Sequence, residues 1–107
     1  MHESFGGGYI AQSEVTTHLE AGEGEVVLKI ARVPKSGHGE LILAYGFFYL
    51  GANGKYYDIL QAHHGGLKTL TDAQRAVQFI LVLSPLIDHV DVPILKETNV
   101  IEPGSLR

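Results

Sequence analysis

The residue pattern of this chain predicts an α+β fold: a small antiparallel sheet of two hairpins packed on one main, strongly apolar helix, with an extended N-terminal arm. Three observations carry that reading. Apolar residues alternate between positions 25 and 50, an Asn-Gly pair sits at 53–54, and the apolar spacing turns helical after residue 70. A length of 107 residues suits one core rather than two.

The elements follow in chain order. Residues 1–24 hold Gly6, Gly7, Gly8, Gly22 and Gly24 and few large apolar groups, so little burial offsets the entropy of ordering them. They read as a Gly-rich arm that orders by crossing onto a neighbouring subunit, with Tyr9 and Ile10 as its anchors. The body at 25–101 is expected to fold without it. A short strand is an option across residues 9–17, where the alternation is poor.

In residues 25–33, Val26, Leu28 and Ile30 point one way while Val27, Lys29 and Ala31 point the other, which predicts a half-buried strand. Pro34, Lys35, Ser36, Gly37, His38 and Gly39 form a turn. Residues 40–50 then place Leu41, Leu43, Tyr45, Phe47 and Tyr49 on one face and Ile42, Ala44, Phe48 and Leu50 on the other. A strand apolar on both faces is central or doubly covered. Gly46 within it marks a bulge or the close approach of another backbone. Asn53-Gly54 offers two positive φ values for a second hairpin leading into residues 55–61.

Thr71 and Gln74 match a capping box, Asp72 sits in the first turn, and the helix runs over 73–83. Pro85 either kinks it or opens a short second helix through His89. Residues 92–101 are expected to give a last strand, with Pro93 restricting its start to an edge. The tail at 102–107 is turn-like and expected to fray.

Composition narrows the function classes. Eight Lys and Arg against twelve Asp and Glu give a net charge of −4, and the basic residues are scattered singly, so no nucleic-acid partner is expected. The longest apolar stretch, 76–87, is interrupted by Gln78, Ser84 and Pro85 and is too short for a membrane span. Zero Cys removes disulfides, thiolate zinc sites and a cysteine nucleophile, and leaves the compartment open. The opening residues carry His2 and Glu3 with no apolar run of signal-peptide type, so a mature start near Met1 is expected, in the cytoplasm or a virion.

No cofactor, metal or catalytic set is expected. Six histidines (His2, His18, His38, His63, His64 and His89) invite a metal reading, but no pair has chelating helical spacing, and His63 and His64 would point to opposite faces of a strand. Asp58, His63 and His38 are the one convergent set worth weighing, and Asp88, His89 and Asp91 form an acid-imidazole cluster explained by a helix end. His63-His64-Gly65-Gly66 lacks the spacing of a phosphate loop. The aromatic residues Tyr45, Tyr49, Tyr56, Tyr57, Phe47 and Phe48 suit either sheet packing or a binding face.

The helix is the most informative element, since it is apolar nearly all round beyond Ala76. Either the chain's own Pro85–His89 stretch and arms cover its far side, or a second subunit does. The interface candidates are Tyr9, Ile10, Val77, Ile80, Leu83, Tyr49 and Tyr57. The expected function is a structural, self-assembling subunit forming a homo-oligomer or a particle such as a virion or phage shell. The alternative is a small oligomeric ligand-binding domain or enzyme with a pocket between sheet and helix.

Overall fold

The alternation between residues 25 and 50 folds back on itself in a computed structural model that describes residues 4–35, 39–62 and 65–106. Strands β2 (Glu25–Pro34) and β3 (Leu41–Leu50) pair antiparallel, with Leu28 opposite Phe47 and Ile30 opposite Tyr45. The register runs unbroken through Gly46, so the glycine marks no bulge. A Cβ there would lie 2.9 Å from the Leu67 side chain and 3.1 Å from the Phe48 ring, so side chains crowd the position, not backbone.

After β3 the chain turns through Gly51–Lys55 into β4 (Tyr56–Ile59), again antiparallel to β3. Only Gly54 takes positive φ, at +80°. Asn53 stays in the ordinary region and instead accepts the Lys55 N–H through its side-chain oxygen at 3.0 Å. The turn therefore works through an Asx contact rather than two left-handed residues.

Beyond Ile59 the chain leaves the sheet for a short excursion, closed by a bridge between Leu60 and Leu67. It then returns to the same edge of β3 as β5 (Thr69–Leu70). The expected third strand over 55–61 is thus four residues long and is continued by another piece.

The sheet is mixed rather than purely antiparallel. β1 (Tyr9–Ile10) lies parallel to β4, and the order is β1-β4-β3-β2 with β5 also on β3. Among the described residues two α-helices accompany it rather than one. α1 (Gln12–Glu20) forms inside the segment expected to be extended, with no side-chain N-cap and two threonines. Its stability comes from tertiary burial of Val15, at 0% exposure, and of the half-buried Leu19. α2 (Ala73–Leu83) has the expected bounds, but Asp72, not Thr71, is its N-cap, accepting the Arg75 N–H at 3.0 Å.

The main core lies between one sheet face and the helices. Val26, Leu28, Ile30, Tyr45, Phe47, Tyr49 and Ile59 meet Val15, Ala76, Ile80 and Leu83, and Phe79 packs edge-on against Phe47 at 4.8 Å. Thr16 on α1 donates to the Leu83 carbonyl at 2.7 Å and so ties the end of α2 to α1.

The opposite face buries Ala31, Ala44, Phe48 and Asp58. Its cover is the N-terminal segment: Phe5 stands edge-on over Phe48 at 6.0 Å. The Asp58 carboxylate accepts from Ser4 Oγ at 3.1 Å, Phe5 N–H at 3.0 Å and Gly6 N–H at 3.0 Å. Residues 4–10, expected to await a neighbour, are held here by contacts within the chain.

The last strand expected over 92–101 reduces to a 3₁₀ turn at Glu97–Asn99 and a single parallel bridge from Val100 to Ile30. Pro93 and the exposed Val92 and Ile94 keep the preceding stretch off the sheet. Arg32 pairs with Glu97, and with Glu102 at 3.7 Å. The tail is pinned as well: Gly104 N–H donates to the Ser4 carbonyl and Leu106 N–H to the Phe5 carbonyl. Among the described residues, no helix is long and apolar enough to cross a membrane.

Candidate interaction surface

α2 presents two apolar faces because seven residues, 77–83, contain only one polar side chain, Gln78. Ala76, Ile80 and Leu83 recur at helical spacing and are buried on the sheet, at 0%, 1% and 2% exposure. Val77, Leu81 and Val82 fall on the far side, and Val82 is 76% exposed. Nothing in the described chain covers them. At Ser84 the backbone leaves helical geometry, and its buried hydroxyl accepts the Leu86 N–H at 3.2 Å, starting a turn at Pro85 in place of a second helix.

The chain then runs past the outer edge of β2. Ile87, Val90 and Leu95 pack back against the core, while Leu86, Val92 and Ile94 face solvent. Among the described residues, six of the eight exposed large apolar residues thus lie between 77 and 94, on one stretch of chain. A cleft of about 710 Å³ separates this stretch from β2, lined by Val26 and Leu28 on one wall and Leu86, Ile87 and Val90 on the other. Glu25, Lys29, Asp88 and Asp91 stand at its margins.

The residues anticipated for the interface divide. Val77 is exposed on α2, and Tyr9 is 39% exposed beside Asp58. Tyr57 is half-buried. Ile10, Tyr49, Ile80 and Leu83 lie in the chain's own core, because Ile10 pairs with Ile59 and the last two form the sheet-facing stripe of α2. Tyr49 donates its hydroxyl to the Glu23 carbonyl at 2.9 Å and stacks on His18 at 5.5 Å. Burial first, then Glu23 and Tyr57, raise its phenol above the ordinary value, so it remains a neutral donor. Partial burial and the Asp58 carboxylate do the same for Tyr9.

The other candidates take structural places. His2, His38, His63 and His64 fall outside the described residues. Asp58 is engaged by the N-terminal amides, so it is spent on holding the fold. His18 lies 3.4 Å from Glu23, and His89 lies 3.1 Å from Asp91 in an exposed turn. Among the described residues, no group of three or more His, Cys, Asp or Glu is arranged to hold a metal. A smaller cavity of about 380 Å³ on the Asp58 face is lined by Phe5, Tyr9, Arg32, Gln61 and Leu67.

Sequence reasoning missed Leu81, Val82, Leu86, Val92 and Ile94 as surface residues and Asp58 as an anchor. The excess of apolar residues over 76–87 signalled Leu81, Val82 and Leu86, and no such signal marked Val92, Ile94 or Asp58. Comparison with family models, curated proteins and solved structures found no match.

Proposed function

We propose that this chain is an assembly subunit that associates with further copies of itself through the side built from the outer face of α2 and the 86–94 stretch. The observation that carries this reading is the concentration of exposed Val77, Leu81, Val82, Leu86, Val92 and Ile94 there. Val77, Leu81 and Val82 sit within two turns of one helix, and exposed apolar residues grouped in this way mark association sites. A copy of the same chain is the fitting partner. At a net charge of −4, copies repel through their charged faces, and the outer side of α2 beyond Arg75 carries no charge to oppose contact. A shell of repeated copies, of the virion or phage kind, is the largest-scale form of this proposal.

The 710 Å³ cleft favours a second reading, a small ligand-binding domain. Mass measurement separates the two. Light scattering on the native chain gives an assembled mass under the first reading, and Leu81→Asp or Val82→Asp lowers that mass while the chain keeps a cooperative melt, since both side chains already face water. A native chain that stays monomeric at every concentration refutes the assembly reading and leaves the cleft as the functional feature.

A further inference from the structure

The outer edge of β2 carries backbone groups with no partner among the described residues. Ile101 N–H donates to the Ile30 carbonyl at 2.9 Å, so the peptide groups of Ile30 point away from β3. Alternate residues of a strand repeat that direction, which turns Leu28 and Val26 outward as well. The far side agrees: Phe47, opposite Leu28, sends its N–H to the Lys68 carbonyl on the other edge of β3. The open stretch has definite ends. At one, Gly24 turns the chain aside at φ +73°, with an added Cβ only 2.5 Å from the Leu50 carbonyl; at the other, Val100 bridges Ile30. Residues 25–29 remain, with Val27 at their centre. A cleft lies between residues 86–93 and this strand.

We infer that two copies of the chain join their sheets along β2, antiparallel about a two-fold axis at Val27, with Glu25 of each copy opposite Lys29 of the other. This deepens the assembly reading and rests on it. An axis at Val27 sets Val26 opposite Leu28 of the second copy. Both residues point outward, so each symmetric pair exchanges both of its hydrogen bonds. The same register brings Glu25 and Lys29 face to face on the side of the sheet away from the helices. Among the described residues neither side chain has an ion pair within its own chain. Self-complementary charge thus selects a second copy over an unrelated strand. The antiparallel arrangement also keeps the helices of both copies on one side of the joined sheet, which brings Leu86 and Val92 near the axis.

The test is reciprocal charge reversal read by sedimentation equilibrium on the full chain. Glu25→Lys and Lys29→Glu each set like charges opposite one another twice per dimer, and each raises the dimer dissociation constant about tenfold. The double variant Glu25→Lys/Lys29→Glu restores association to within about threefold of the native chain, while thermal melts show all three folded. Hydrogen exchange at the Val26 and Leu28 amides slows as protein concentration rises. An oligomer indifferent to both single reversals, or one the double variant fails to restore, overturns the β2 register while leaving the assembly reading in place. A monomer at every concentration overturns both.

Discussion

Replacing Asp58 by alanine tests how the N-terminal segment is held. The carboxylate is 1% exposed and accepts from Ser4 Oγ and from the Phe5 and Gly6 amides at 3.0 to 3.1 Å. Hydrogen bonds to a charged acceptor contribute about 1.5 to 3 kcal/mol each, and a buried donor left without a partner costs about 1 to 3 kcal/mol. The Ser4 and Phe5 donors are only part-buried and regain water once the segment loosens, whereas Gly6 is buried. The sum is therefore smaller than three full bonds, and a loss of about 3 kcal/mol is expected. For a chain of 107 residues the unfolding entropy is about 0.22 kcal/mol/K, so the melting temperature falls by about 13 °C. Circular dichroism melts measure that shift, and hydrogen exchange reads the Phe5, Gly6 and Gly7 amides, which should lose protection together. A variant melting within about 4 °C of the native chain, with those amides still protected, would mean that Asp58 does not hold the N-terminal segment.

Four further outcomes follow from the same geometry. Deleting residues 1–10 removes β1 and uncovers Phe48, so the truncated chain should melt lower and bind a hydrophobic dye; an unchanged melt returns the segment to the status of a dispensable arm. Asp72→Ala costs about 1 kcal/mol in urea denaturation through loss of the cap, while Thr71→Ala leaves stability within about 0.5 kcal/mol. Ile80→Asp, at a position 1% exposed, abolishes the cooperative melt, in contrast to Leu81→Asp next to it. Gly24→Ala destabilises by more than 1 kcal/mol in chemical denaturation, because its Cβ meets both the Tyr49 hydroxyl and the Leu50 carbonyl at positive φ.

The parts of the fold legible in the sequence are those governed by local period. Val26, Leu28 and Ile30 alternate strictly, and Ala76, Ile80 and Leu83 recur at helical spacing, so β2, β3 and α2 emerge with nearly their observed bounds. α1 was hidden because Gln12–Glu20 has neither a cap nor a clear apolar stripe, and its helicity depends on where Val15 and Leu19 find cover. The Asp58 anchor joins residues more than fifty positions apart, a relation that no local pattern encodes. The same limit explains the candidate surface. A helix apolar on both sides does not announce which side meets the sheet, so Val77 was placed at the surface together with Ile80 and Leu83, which are buried. Leu86, Val92 and Ile94 lie where a turn and the serine cap at 84 lead the chain off the sheet, in residues that otherwise read as helix or strand.

Self-association of the native chain is read by sedimentation equilibrium across a wide concentration range. The weight-average mass should rise above the 11.6 kDa of one chain with concentration, and should rise less for a Leu81→Asp variant that still melts cooperatively. A native mass of 11.6 kDa at every concentration would contradict self-association.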